Sequence, residues 1–223
     1  MSAAPTPRDS AQPAELGPDG FGPQDFRAAT RATDAQMADL EAFRGLLADW
    51  SGRMNLVGPS ALEQFWLRHA FDSAQLLALA PDAARWADIG SGAGFPGLVL
   101  AVLLKARVGA HVDLIESQAK KCRFLEAAAA ALHLPVAVHR ARAESLSLKV
   151  DVVTARACAP LVKLLGYAWP FQKRGALGLY LKGQDIEVEL EEATRYWEME
   201  AELIPSKSHA AGRIVVVRRL ARG

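Results

Sequence analysis

The string DIGSGAGFPG at residues 88 to 97 carries the clearest chemistry in this chain. An apolar run that reads as a strand ends near Ile89, and a helix begins near Pro96. Gly90, Gly92, Gly94 and Gly97 lie between the two or just inside the helix. Glycine permits positive φ and close backbone approach, and proline is harmless in the first helical turn, where its missing N–H has no partner to lose. Such a loop is expected to present backbone amides to a ligand. Gly92, Gly94 and Gly97 also satisfy GxGxxG, the dinucleotide fingerprint, and Glu116 falls about where that fingerprint places its ribose-binding acid. Asp88 separates the two readings. It sits inside the end of the strand, where a dinucleotide fold normally has apolar residues and where a carboxylate needs a partner. A cationic ligand suits it better. S-adenosylmethionine offers a sulfonium, an α-ammonium, a ribose diol and an adenine, so acids after successive strands find work on it, Asp88 at the amino-acid part and Glu116 at the ribose. The residues therefore favour a methyltransferase using this donor, with an NAD(P)-binding oxidoreductase as the alternative.

These residues must be positioned by a layered fold. Short apolar runs at Ala84–Ile89, His111–Glu116, Val136–His139, Val150–Ala155 and Leu177–Leu181 alternate with helical segments near Gly97–Lys105, Ala119–Leu132, Pro160–Leu165 and Ile186–Arg195. Such alternation predicts a mostly parallel sheet with crossover helices. Glu200–Ile204 and Arg213–Arg218 read as an antiparallel strand pair closing the sheet. Ahead of the sheet, apolar residues from Gln24 to Trp50 recur mostly at helical spacing, and Ser60–Leu79 reads as a further helix. Residues 24–82 are thus expected to form an N-terminal helical cap and residues 83–223 the α/β domain. Residues 1–23 carry Pro5, Pro7, Pro13, Pro18 and Pro23 among three glycines, and read as a flexible tail.

The 223 residues suit one α/β domain with a modest extension, and an apolar share of 51% suits a globular core. The longest apolar stretch, around Phe95–Leu104, falls well short of the ~20 residues that span a bilayer. No leader-like apolar segment opens the chain, so a cytoplasmic location is expected. A dinucleotide oxidoreductase would need a substrate domain, for which too little chain follows the loop. Cys122 and Cys158 lack ligand spacing and read as buried thiols, and no metal is expected. A net charge of +1 excludes a globally basic nucleic-acid binder. Any RNA contact must come from a local patch drawn from Arg53, Lys120, Lys121, Arg123, Arg140, Arg142, Arg156, Lys182 and Arg213. His69 and Asp72, three apart on a helix, read as a local hydrogen-bonded pair, and Trp50, Trp66 and Trp86 as core.

Further strings extend the pattern: WSGRMNLV at 50–57, HAFDS at 69–73, ESQAKKCRFLE from Glu116, RAE at 142–144, DVVTARA at 151–157 and LKG at 181–183. In this order, and with DIGSGAGFPG, the chain from about residue 35 to 218 resembles the RsmG (GidB) family, which methylates N7 of a guanine in the decoding-region loop of bacterial 16S ribosomal RNA. The resemblance implies a Rossmann-like class I methyltransferase fold with a helical extension. It implies S-adenosylmethionine as cofactor, and the small ribosomal subunit or its precursor as partner. Carried over residue by residue, it implies cofactor contacts at Gly90, Phe95 and Glu116, with Ala143 and Glu144 on the adenine side. Arg156 falls at the edge between cofactor and substrate, and Arg156, Lys182 and Arg213 position the substrate. Ser51 departs from the family pattern, which usually has asparagine there, and Pro160 interrupts the helix after ARA. A monomer without membrane association is expected. A non-catalytic RNA-binding assembly factor that keeps the loop is the third reading. Guanine N7 is already an unprotonated nucleophile, so no general base is expected.

Overall fold

The structure, a computed structural model, describes residues 20–54 and 56–223. The expected tail lies outside the described residues up to 19. Phe21 already packs against the ring of Phe71, and Pro23 opens helix α1 (Pro23–Thr30), where the Asp25 carboxylate accepts the Gly22 amide at 2.8 Å. Helix α2 (Asp34–Met54) starts at a reciprocal cap: Thr33 Oγ1 accepts the Gln36 amide, and Gln36 Oε1 accepts the Thr33 amide. It buries Leu40, Phe43 and Leu47 at three- and four-residue spacing.

The single helix expected over 60–79 is instead four short pieces: α3 (Pro59–Glu63), a π-helical turn (Phe65–Phe71), α4 (Asp72–Ala74) and a 3-10 turn (Gln75–Leu79). Phe65, Trp66, Leu67, Ala70 and Phe71 are all buried. Five of seven consecutive residues are too many for one α-helical stripe, and the wider turn brings them all to the core.

The remainder is a seven-stranded sheet: β1 (Arg85–Ile89), β2 (His111–Glu116), β3 (Val136–Arg140), β4 (Val152–Arg156), β5 (Leu177–Lys182), β6 (Trp197–Pro205) and β7 (Arg213–Arg222). Their order is β3-β2-β1-β4-β5-β7-β6, parallel through β5, with β7 antiparallel to β5 and β6 antiparallel to β7. Helices α5 (Gly97–Leu104), α6 (Ala119–Ala131), α7 (Leu161–Gln172) and α8 (Ile186–Ala193) connect them. The mostly parallel sheet with an antiparallel pair is the architecture expected from the sequence. Pro160 does not interrupt α7 but precedes its first residue. The helix continues past the expected Leu165 and through Pro170 to Gln172, because burial of Leu161, Leu164, Leu165, Ala168 and Phe171 outweighs one missing amide.

The chain leaves β1 toward β3 on one side and reaches β4 and β5 on the other, so the crossover direction reverses between β1 and β4. Open α/β sheets bind ligands in the crevice at the carboxyl ends of the strands on either side of such a reversal. The cap lies against this edge. Phe43 is fully buried between the rings of Phe65, Phe95 and Phe124, joining α2 to the glycine loop and to α6. Truncating such a residue to alanine costs ~3–5 kcal/mol. Trp86 and Trp66 are buried, and Trp50 packs edge-on against Phe124, as expected of core residues.

Candidate cofactor and substrate site

Two cavities meet at Gly90. The larger, about 700 Å³, lies between the glycine loop, the cap and the β6–β7 loop. The smaller, about 60 Å³, is a slot between Ile89, Ile115, Ala143 and Cys158. Gly90 lines both, at φ +70, and a Cβ there would stand 2.7 Å from Cys158 Sγ. Only glycine allows the chain through this junction without strain. Gly92 and Gly94 also have positive φ.

Four of the loop amides are not presented to a ligand as the sequence suggested. Gly90 and Ser91 both donate to Ile115 O, Gly92 donates to Glu116 Oε2 at 3.2 Å, and Gly94 donates to Ser91 O. These four amides are consumed inside the protein. A pyrophosphate needs such donors free. A cationic ligand does not need them, and the loop's character thus weighs against the dinucleotide reading.

Glu116, at the end of β2, is buried, and it bridges two segments: Oε2 accepts from Gly92, and Oε1 accepts from the Gln118 amide at 2.8 Å. Asp88 does not line either cavity. It is wholly buried beneath the loop, with Oδ2 accepting the Gly97 amide at 3.0 Å and Oδ1 without a partner. Burial pushes its carboxyl up to about 7, against the lowering pull of its hydrogen bonds and of the Arg156 charge. Gly97 must be glycine for the same contact, since a Cβ would sit 2.6 Å from Asp88 Oδ2. Asp88 therefore anchors the start of α5 and acts on the cavity through its field.

Phe95 is buried among Phe43, Phe65 and His69, and Arg156 stands over its ring at 4.9 Å. Arg156 donates through Nη1 to Arg68 O at 3.0 Å and to His69 Nδ1. Burial, followed by the charges of Arg156 and Arg68, drives His69 down to about 3, so the ring is neutral and accepts from the guanidinium. His69 and Asp72 are not the local pair expected from their spacing. His69 turns to Arg156. Asp72 reaches across to the β6–β7 loop, where its Oδ1 accepts from Ser206 Oγ at 2.9 Å, from Ser208 Oγ and from Gln75 Nε2.

Lys182 lines the large cavity, but its ammonium is paired with Glu189 at 2.6 Å and donates to Ala159 O at 3.0 Å. Arg213 donates to Ala210 O and Gly212 O and lies 3.8 Å from Glu187. Ala143 and Glu144 line the small slot, in the 3-10 turn after β3. Cys158 is another wall of that slot, and burial raises its thiol. Reading by residue type missed Arg68, Cys158, Ser206 and Ser208, which reach the site only through contacts between distant segments. HAFDS was the one string that pointed toward the cap wall.

The donor set fits S-adenosylmethionine. A small slot lined by Ala143 and Glu144 meets, at a side-chain-free junction, a larger cavity; beneath its glycine loop lies an unpartnered carboxylate oxygen, and Glu116 is bonded to the same loop. With the sheet order, this defines a class I S-adenosylmethionine-dependent methyltransferase. Two solved structures share the fold: cofactor-bound Rv0187 from MTB, with TM-score 0.55 at 18% identity over 90% of this chain and 99% of that one, and ribosomal protein L11 methylase from Lactobacillus delbrueckii subsp. bulgaricus, with TM-score 0.51 at 15% identity over 66% and 76%. Residues 36–215 match the family GidB, rRNA small subunit methyltransferase G. Among curated relatives, ribosomal RNA small subunit methyltransferase G of Caulobacter vibrioides is 60% identical over 88% of this chain and 91% of its own length. The protein of that name from Nitrobacter hamburgensis is 48% identical over 86% and 75%. The chain belongs to the rRNA small subunit methyltransferase G family.

Proposed function

We propose that this chain methylates N7 of a guanine in the decoding-region loop of 16S ribosomal RNA, on the small ribosomal subunit or its precursor. Family membership over residues 36–215 carries this reading, joined to a site with two sheet-edge acids and four loop amides already bonded within the protein. When bound, S-adenosylmethionine supplies an electrophilic methyl on a sulfonium. Its adenine would lie along Ala143 and Glu144, its ribose at Glu116, and its amino-acid part past Gly90 into the large cavity.

The protein's own residues then have a task of placement. Guanine N7 needs no deprotonation, and neutral His69, held by Arg156, is a positioning group rather than a base. Effective concentration and orientation supply the rate. Methylated guanine is cationic, so a guanidinium touching N7 would oppose the reaction; Arg156 serves guanine O6 or a phosphate instead. Lys182 is neutralised by Glu189 and would shape the wall between α8 and residues 157–160 rather than clamp RNA. The family's small near-neutral domain suits a folded ribonucleoprotein better than naked RNA. No helix among the described residues is long and apolar enough to cross a membrane. We place the protein in the cytoplasm, as a monomer, with residues 24–82 acting as a cap on the catalytic domain.

Purified protein, S-adenosylmethionine and undermethylated small subunits should yield one 7-methylguanosine in the decoding-region loop by mass spectrometry of 16S RNA. Binding of NAD with no affinity for S-adenosylmethionine would restore the oxidoreductase reading. Subunit binding without donor consumption would restore the assembly-factor reading.

A further inference from the structure

The π-helical turn carries a cation that nothing so far employs. Arg68 lines the large cavity, yet its Nη1 is buried without a hydrogen-bond partner, and its side chain forms no ion pair among the described residues. A buried N–H donor left this way loses hydration and gains nothing in return. Its neighbours make the situation worse. Arg156 donates to the Arg68 carbonyl, so two guanidiniums share one wall, and the Arg68 charge disfavours that of Arg156. Asp72 lies on the same wall, but its Oδ1 already accepts three hydrogen bonds from Gln75, Ser206 and Ser208. His69 between them is neutral.

The local backbone shows that this placement is not slack. The turn from Phe65 to Phe71 is pinned by five buried side chains and by the Arg156 bond to its carbonyl. π-Helical turns often occur at functional sites for this reason. An arginine offers a rigid fork of donors that matches a carboxylate or phosphate.

We propose that Arg68 is the oxyanion-binding residue of this site, its guanidinium receiving a carboxylate or phosphate oxygen that enters the large cavity. The inference rests on the function proposed above, which offers two sources of that chemistry: the α-carboxylate of S-adenosylmethionine and a phosphate of the RNA. Both bring the acceptor oxygen that Arg68 Nη1 lacks.

The variants Arg68→Gln and Arg68→Lys test it on the full chain. Without ligand, Arg68→Gln should melt at or above the wild-type temperature, because an unpartnered buried donor is removed. Inorganic phosphate should raise the melting temperature of the wild type and not of Arg68→Gln. Calorimetry then separates the sources. If the cofactor carboxylate is the anion, Arg68→Gln should lose about tenfold in S-adenosylmethionine affinity, as for one charged hydrogen bond, while its affinity for decarboxylated S-adenosylmethionine stays at the wild-type value. If an RNA phosphate is the anion, donor affinity stays unchanged, and the KM for small subunits rises by about tenfold with a shallower salt dependence. Arg68→Lys should recover part of either loss. A well-folded Arg68→Gln with unchanged phosphate response, donor affinity and subunit KM would overturn the proposal. So would a clear fall in melting temperature with unchanged binding, which would make Arg68 structural. If the wild type binds neither donor nor subunits, the proposed function falls, and the phosphate arm still decides Arg68.

Discussion

The two walls of the large cavity are held by opposite means. On the glycine-loop wall, the bonds join backbone amides to groups at the ends of neighbouring strands: Gly90 and Ser91 to Ile115, Gly92 to Glu116, Gly97 to Asp88. On the facing wall, side chains from segments far apart in sequence are tied together: Asp72 to Ser206 and Ser208, and Arg156 to Arg68 and His69. The first wall places the acids and leaves one carboxylate oxygen unpartnered. The second places the cations and leaves one guanidinium nitrogen unpartnered. A donor with a cationic sulfur and an anionic carboxylate, together with a polyanionic acceptor, is matched by that division. The site is incomplete on both sides in the sense of charge.

The largest expected effect tests the acid wall. Asp88 has a folded carboxyl raised by burial to about 7, while in the unfolded chain it ionises near 3.8. Between those values the folded state holds more protons than the unfolded one, so the group's contribution to stability falls as pH rises through that window and is flat above it. The full cost is about 4 kcal/mol as an upper bound, from about 1.4 kcal/mol per pH unit. Asp88→Asn keeps an acceptor for the Gly97 amide and removes the titration. The stability difference between variant and wild type should therefore grow in the variant's favour from pH 4 to pH 7 in denaturant titrations. A difference independent of pH would mean that Asp88 is not the buried acid described here.

Glu116→Ala removes the acceptor shared by Gly92 and Gln118, and should weaken S-adenosylmethionine binding by about 1–3 kcal/mol in calorimetry. An unchanged dissociation constant would move the ribose elsewhere. On the facing wall, Asp72→Ala should release the β6–β7 loop at a cost of about 1–2 kcal/mol of stability. It should raise the KM for small subunits by more than it weakens donor binding. The reverse ranking would erase the contrast between the walls. The smallest effect is expected of the proline-rich residues 1–19. Their deletion should shift the melting temperature by only about 1 °C, and leave donor affinity unchanged.

The fold was legible from the sequence because its signals are local. The strand runs alternate with helices, and turn residues stand between them, so strand boundaries fall within about two residues on β1 to β5. The boundaries that differ have physical causes. The length of α7 depends on what Phe171 packs against, and β6 and β7 extend beyond the expected pair because each completes the other, with the register shifting between Glu200 and Ala201. The break-up of residues 59–79 depends on how many aromatic residues one segment must bury.

The sequence by itself determined the acid-ended strands, the glycines at the turn and, through the ordered strings from Trp50 to Gly183, the family. Each is a property of residues near one another along the chain. Only the tertiary structure decided what those residues do. It placed Asp88 below the loop instead of in the cavity, turned the loop amides inward, paired Lys182 with Glu189, and separated His69 from Asp72. It also brought Arg68 to the site with Nη1 unpartnered among the described residues. Hydrogen-bond saturation and charge pairing are settled between segments up to 136 residues apart. Spacing along the chain cannot report them, because they depend on which strand ends and cap residues face each other across the sheet edge.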